Sequence, residues 1–277
     1  DVASGTNGNI VLSTSSGDIT GLATVNAGSG NVTLNSAGAI VDDGSSGTVI
    51  TGGVLTADAA GAITIDSTVT SANISTSAAG AVDLDESDAI TLTDVDTNDG
   101  SITVDAGGLI TATDVVASGG SGDSVTLSTT TGGAVATLVT GADAVSITAN
   151  AGDITIGSVT ATLGTLGVTA TAGSINDAAD DNTADFTAGG LITLTAQDEV
   201  GVLGSGSDLD LEFAAGSSVN VSTTGTGAID LDGLGALTLS DVDTVNGAIT
   251  ASSAGALTVT DVASGTNGNI VLSTSSG

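Results

Sequence analysis

The chain has 277 residues and a net charge of −32, and it contains no Lys, Arg, His, Cys, Pro, Met, Trp or Tyr. Nucleic acid and anionic membrane surfaces are excluded as partners, because contacts to phosphate groups need basic side chains. The lack of Cys also excludes disulfides. Aliphatic residues supply most of the 40% hydrophobic fraction, which favours an ordered all-β chain over a disordered one.

The sequence repeats itself on two scales. Residues 1–17, DVASGTNGNIVLSTSSG, recur unchanged as residues 261–277. This offset predicts that residues 1–260 form one full repeat unit and that residues 261–277 begin the next identical unit, with further units continuing both ends. An older duplication relates residues 81–115 to residues 228–262, with 19 of 35 positions identical.

Short segments with alternating apolar residues follow one another along the chain. In order they include GAITI (61–65), AITLT (89–93), SITANAGDITI (146–156), LITLT (191–195) and ALTLS (236–240). The alternation predicts strands with aliphatic side chains inside and Thr, Ser, Asp or Asn outside. In the third segment, Ile147 and Ala149 share the inner face, and Ile154 and Ile156 return to it after a turn. Gly, Asn and Asp between the segments predict turns.

Glycines that introduce these segments recur in alternating steps near 8 and near 12 residues, so the finest period is about 20 residues. A Gly-punctuated, β-branched period of this length predicts a parallel β-helix, or β-solenoid, with about 20–22 residues per coil. A 260-residue unit then makes roughly 12–13 coils. Coils in parallel sheets stack about 4.8 Å apart, so one unit should be a rod about 60 Å long.

Several of these segments carry a resemblance to a known family. The segments GNIVLSTSSGDIT (8–20), GNVTLNSAGAI (30–40), SITVDAGGLIT (101–111) and SITANAGDITI (146–156) resemble the shaft repeats of filamentous-haemagglutinin-type adhesins and giant bacterial surface exoproteins. The resemblance runs through nearly the whole chain. It implies a right-handed parallel β-helix, secretion to the cell surface, and adhesion or fibre formation. Unlike typical members of that family, this chain has no basic residue.

Paired carboxylates are the candidate metal ligands. The pattern Asp-x-Asp occurs at Asp83/Asp85, Asp94/Asp96, Asp208/Asp210, Asp230/Asp232 and Asp241/Asp243. On a strand, alternate residues share a face about 6.6 Å apart. Asp94 and Asp114 are separated by one predicted coil length, as are Asp241 and Asp261, which predicts that each of these two pairs stacks on adjacent coils.

Ca²⁺ prefers clusters of six to eight hard oxygen ligands, so such stacked carboxylates predict a site for Ca²⁺ or another divalent cation. The candidate ligands are Asp94, Asp96, Asp114, Asp241, Asp243 and Asp261. The alternative is that each pair simply belongs to a solvated acidic face.

The overall charge density gives a second reason to expect cations. Thirty-two carboxylates on a rod of about 60 Å amount to about one charge per 2 Å, close to duplex DNA. We therefore expect a condensed cation atmosphere, in which divalent ions stabilise the rod or bridge rods side by side. The expected partner is the protein itself, end to end through further repeats and laterally through cations.

The favoured function is a structural shaft segment of a secreted, repetitive extracellular fibre or adhesin at the bacterial cell surface, and not an enzyme. The alternative is a rigid stalk that presents a separate carbohydrate- or cell-binding domain. A carbohydrate-active β-helix enzyme is disfavoured. Two carboxylates could hydrolyse a glycosidic bond, but the chain has no His, Lys, Arg or Tyr to assist them and no Trp or Tyr to stack on a sugar.

Overall fold

The chain is an all-β solenoid in a computed structural model, with parallel strands stacked in about 13 turns. The predicted parallel β-helix is therefore confirmed. The structure describes residues 1–45, 47, 49–179, 181–204, 208–265 and 267–275. No helix in these ranges has the length and apolarity that a membrane span requires.

Within these described ranges, thirty-one strands are defined. The first ten are β1 Val2–Ala3, β2 Ile10–Ser13, β3 Ile19–Leu22, β4 Val25–Asn26, β5 Val32–Ser36, β6 Ile40–Asp42, β7 Ile50–Ala59, β8 Ile63–Ala79, β9 Val82–Glu86 and β10 Ile90–Asp99. The next ten are β11 Ile102–Ala106, β12 Ile110–Ala112, β13 Val115–Ala117, β14 Val125–Thr129, β15 Ala134–Ala136, β16 Val139–Gly141, β17 Val145–Ala149, β18 Ile154–Ile156, β19 Val159–Ala161 and β20 Leu166–Ala170. The last are β21 Ile175–Asp177, β22 Phe186–Ala188, β23 Ile192–Ala196, β24 Leu209–Phe213, β25 Val219–Thr223, β26 Ile229–Gly233, β27 Leu237–Thr244, β28 Ile249–Ser253, β29 Leu257–Val259, β30 Val262–Ser264 and β31 Ile270–Leu272.

Each regular coil contributes three strands, one to each of three faces of the rod. Strands β11, β12 and β13 form one coil, and they pair in parallel with β14, β15 and β16 of the next. We call the residues at one position on successive coils a ladder. Face 1 carries the ladder of Ile102, face 2 the ladder of Ile110 and face 3 the ladder of Val115.

The core is a continuous aliphatic column inside the three faces. Ile147, Ala149, Ile154 and Ile156 are all fully buried, as their alternation predicts. Each buried Ile, Leu or Val stabilises the fold by roughly 1.5–3 kcal/mol relative to an exposed one. Phe186 is the largest fully buried side chain.

Coil length varies along the rod. Val82 pairs with Ile102, so the coil between them has the predicted length. Leu166 pairs with Ile192, and Ile192 pairs with Val219, so the two coils that these pairs delimit are longer. The extra residues lie in the connections between strands and not in the strands, because the inward alternation of β20, β23 and β25 is unchanged.

The long repeat corresponds to a whole number of coils. Following the parallel register from Val2 on the first coil, twelve steps lead to Ser264. The copy of Val2 is Val262, two residues before that position. A shift of two residues preserves the inward and outward alternation, since the strand period is two.

The two copies of the internal duplication lie on different faces. Val82, in the first copy, belongs to the ladder of Ile102 on face 1. Its counterpart Ile229 pairs with Val200 and is connected through Ile175 to the face 2 ladder. The second copy is therefore displaced by one face around the axis.

Candidate functional site: acidic ladders on the solenoid surface

Outward-facing carboxylates stack on one another because the strands are parallel and in register. On face 1, Asp66 pairs with Asp85 and Asp85 pairs with Asp105. Adjacent coils are about 4.8 Å apart, so these like charges repel. Burial, and then the charges of neighbouring Asp residues, raise the pKa of Asp66 and of Asp85.

A groove lies beside this face 1 stack. It has a volume of about 370 Å³, and Asp66, Asp85 and Asp105 line it together with Glu86. Glu86 is buried, and its carboxylate accepts hydrogen bonds from the Ser67 hydroxyl at 2.6 Å and from the Val69 backbone N–H at 3.0 Å. Glu86 is therefore a structural acceptor that ties its strand to the preceding coil.

Two of the first set of sequence-predicted metal ligands lie next to each other in the structure. Val95 pairs with Val115, and the backbone N–H of Val95 donates to the carbonyl of Asp114, so Asp94 lies next to Asp114 on adjacent coils. Burial, followed by the charge of Asp94, raises the pKa of Asp96 to about 6. The Asp96 side chain is exposed, so solvent screens this effect.

The second predicted set has the same arrangement on face 1. Val242 pairs with Val262, which places Asp241 next to Asp261. Burial, then the charge of Asp241, raises the pKa of Asp243. The side chains of all three Asp residues of this set are exposed. The predicted stacking is thus present, but solvent has free access to it.

An Asn precedes each of these two sets, one coil earlier. Asn73 pairs with Asp94 and donates a 3.5 Å hydrogen bond from its amide to the Asp94 carboxylate. Asn220 occupies the equivalent place beside Asp241. The Oδ1 atoms of Asp114 and of Asn220 are buried without a hydrogen-bond partner. An oxygen that no described protein group satisfies therefore lies within the first set and beside the second.

Asp94 and Asp114 belong to a longer outward ladder that runs between faces 2 and 3, which we call the corner ladder. Its members, given by the strand register, are Asn73, Asp94, Asp114, Leu138, Ser158, Asp185, Asp210, Asp232 and Ser252. Three successive members of this ladder, Asp185, Asp210 and Asp232, are therefore Asp, and they lie where the coils are longest. The Asp-x-Asp pattern in the sequence identified Asp210 and Asp232, but it did not predict that they lie next to each other.

The tightest group of carboxylates lies in this stretch. One carboxylate oxygen from each of Asp208, Asp210 and Asp232 lies within 4.8 Å of the other two. We call these three residues the Asp210 cluster. Asp210 pairs directly with Asp232. The backbone N–H of Asp210 donates to the carboxylate of Asp185 at 2.9 Å.

Several carboxylates in and around this cluster are buried, as Glu86 is on face 1. Asp185 and Asp210 are each 3% exposed and Asp230 is 8% exposed. Burial is the largest cause that raises the pKa of Asp185 to about 8, that of Asp210 to about 7 and that of Asp230 to about 6. The charges of neighbouring Asp residues add to it, namely Asp177, Asp181, Asp208, Asp210 and Asp232.

The connection from Gly201 to Gly204 covers this part of the surface. Gly201 has φ +71°, and a Cβ added there would clash with the carbonyl oxygen of Asp230, so only glycine allows this approach. The backbone N–H of Gly204 donates to the Asp230 carboxylate at 3.4 Å. Asp230 is outward-facing by alternation, yet this segment removes it from solvent.

Comparison with family models, with curated proteins and with solved structures finds no match to this chain. Its class therefore rests on its own geometry. The chain is a β-solenoid repeat protein. Its coils stack through parallel strands and enclose a continuous aliphatic core. Its distinguishing surface feature is the stacking of carboxylates on successive coils.

Proposed function

We propose that this chain is a shaft segment of a secreted, repetitive extracellular fibre or adhesin of the filamentous-haemagglutinin type. The observation that carries the proposal is the relation between the repeat and the coil. The 260-residue repeat spans twelve coils to within two residues, so an identical unit can continue the same core on the same faces. Adding further units lengthens such a rod without changing its structure, which is what a shaft requires.

The surface suits a shaft better than a catalytic site. The groove beside the face 1 stack is open and acidic, and Glu86 within it is held by hydrogen bonds to the protein itself. The chain offers no His, Lys or Arg, which are the usual activators of a nucleophile or partners of a carboxylate. Outward Thr and Ser on parallel strands serve as β-formers.

Self-association follows from the same features. Each coil contacts only its neighbours, so stability accumulates along the rod and further units add to it. Side by side, two rods with stacked carboxylates repel each other unless cations lie between them. We therefore propose end-to-end continuation by covalent repeats, and lateral association that depends on divalent cations.

Electron microscopy of the native secreted material tests the proposal. Thin rods with an axial repeat near 58 Å, twelve coils at about 4.8 Å each, are expected. Rods that end in a globular particle would instead favour a stalk presenting a binding domain. Isolated short particles located inside the cell would contradict the shaft role.

A further inference from the structure

We propose that Asp208, Asp210 and Asp232 form a binding site for one divalent cation, with Ca²⁺ as the ion that fits best. The site is distinct from the two Asp sets predicted from the sequence. It does not depend on the shaft role, because it rests on the local geometry of two adjacent coils.

The spacing of the oxygens suits one shared ion. Ca²⁺ binds oxygen ligands at 2.3–2.6 Å, so two ligands on opposite sides of the ion are up to about 5 Å apart. The three carboxylate oxygens lie within 4.8 Å of one another, so a single ion can reach all of them. Water and backbone carbonyls would complete the six to eight ligands that Ca²⁺ takes.

Asp210 provides a second, independent observation. It is 3% exposed, and no described residue donates a hydrogen bond to its carboxylate. Removing a carboxylate from water is costly unless another interaction compensates for it. One oxygen of Asp210 lies within 4.8 Å of an oxygen of Asp208 and of Asp232, so an ion between the three would supply that interaction.

The chain itself cannot supply that partner as a charge. It has no Lys, Arg or His, so only a proton or a cation from solvent can neutralise Asp210. One proton would neutralise only one of the three carboxylates. A divalent ion neutralises two charges at once and gives each carboxylate a ligand bond. The exclusively oxygen donors favour Ca²⁺ over softer metals that prefer His or Cys.

Neighbouring groups hold the ligands in place. The Ser252 hydroxyl on the next coil donates to the Asp232 carboxylate at 2.6 Å. On the preceding coil, the Asp185 carboxylate accepts the backbone N–H of Asp210 at 2.9 Å. Hydrogen bonds of this kind orient metal ligands. They also connect the proposed site to four successive coils of the rod.

Calorimetric titration of the 277-residue chain with Ca²⁺ tests the site. A salt concentration of about 0.15 M screens the general cation atmosphere. The matched variants are Asp210→Asn and Asp83→Asn, each of which removes one charge, the latter from an exposed position. We expect one saturable binding event in the parent chain, weakened at least about tenfold in Asp210→Asn and unchanged in Asp83→Asn. Equal affinities in all three proteins, or no saturable event in the parent, would overturn the proposal.

Luminescence of Tb³⁺, an oxygen-seeking stand-in for Ca²⁺, decides the matter if Asp210→Asn does not fold. Emission lifetimes of Tb³⁺ bound to the parent chain are compared in H₂O and D₂O, which counts the waters on the ion. An ion held by three carboxylates has lost several of its waters, and Ca²⁺ in excess displaces it. If all bound Tb³⁺ keeps its complete hydration shell, the ions belong to the atmosphere and the site does not exist.

Discussion

The two copies of the internal duplication carry the same Asp-x-Asp pattern in different surroundings. Asp83 and Asp85, in the first copy, have exposed side chains on face 1. Their counterparts Asp230 and Asp232 lie in the second copy, where Asp230 is 8% exposed and Asp232 belongs to the Asp210 cluster. The same pattern thus gives a solvated pair in one place and a desolvated group of carboxylates in the other.

The neighbouring coils account for the difference. Asp83 stands between Thr64 and Thr103, which are in register on regular coils. Asp230 stands beside Gly201, in a connection that folds over the strand. The alternation in the sequence therefore decides which side chains face outward, whereas the connections of the adjacent coils decide whether an outward carboxylate meets water.

The largest effect is expected from the core beneath the longest coils. Phe186 is fully buried between Val159 and Leu211, so Phe186→Ala should destabilise the rod by about 4 kcal/mol. The control is Phe213→Ala, at the other Phe, which is only partly buried and should cost about 1 kcal/mol. Urea unfolding followed by circular dichroism measures both. Equal losses would show that the long coils lack a tight core.

A second prediction addresses the connection that covers Asp230. Gly201→Ala places a Cβ against the carbonyl oxygen of Asp230 at a residue with φ +71°, so we expect a loss of about 3 kcal/mol from strain and displacement. Gly167→Ala is the matched control, because a Cβ there meets nothing within 4 Å. Should Gly201→Ala prove as harmless as the control in urea unfolding, the connection does not lie against Asp230.

The regular part of the architecture was predictable from the sequence because burial repeats with the strand period. Ile147 and Ile154 point inward as their alternation predicts, and the glycine spacing gives the length of the ordinary coil. The stacking of Asp94 on Asp114 follows from the same spacing of one coil. These features depend only on local pattern and on parallel register.

The Asp210 cluster could not be predicted in this way. Its members lie beside the coils that exceed the regular length. The connections of those coils have no apolar alternation, so the sequence does not predict the course of the backbone there. Asp185 is not part of an Asp-x-Asp pair, so nothing in the sequence marks it as a neighbour of Asp210. The excess coil length itself was the available signal, since the extra residues have to form a longer connection at the surface.

A third prediction concerns pH. The pKa of an unfolded Asp is about 3.9, whereas burial raises the pKa of Asp185, Asp210 and Asp230 to about 8, 7 and 6 in the folded chain. The folded state therefore holds these protons to higher pH, so their stabilising contribution is complete below about pH 4 and is lost as pH rises through about 6 to 8.

The measurement is the urea midpoint at several pH values in the presence of a chelator. We expect the midpoint to fall between about pH 5 and about pH 8.5. The Asp83→Asn variant should show the same fall, because its side chain is exposed. Replacing Asp185, Asp210 and Asp230 together by Asn should flatten the curve. A midpoint that rises with pH in the parent chain would contradict the assigned burial.

The smallest effect is expected from single charge removal in the two copies. Asp230→Asn removes a desolvated charge near Asp208 and Asp232, so in chelator at about pH 8 it should stabilise the chain. Asp83→Asn, at the equivalent place in the first copy, should stay within about 0.5 kcal/mol of the parent. The melting temperatures of the two variants, recorded side by side, check this difference. Identical shifts would mean that the two environments are alike.

Cryo-electron microscopy of two covalently joined 260-residue units tests the central claim, that the long repeat spans twelve coils of one continuous solenoid to within two residues. The predicted image is a single rod with strands about 4.8 Å apart, in which the second unit lies about 58 Å along the axis and presents the same faces as the first. A second unit turned onto a different face, or two separate globules joined by a linker, would contradict it.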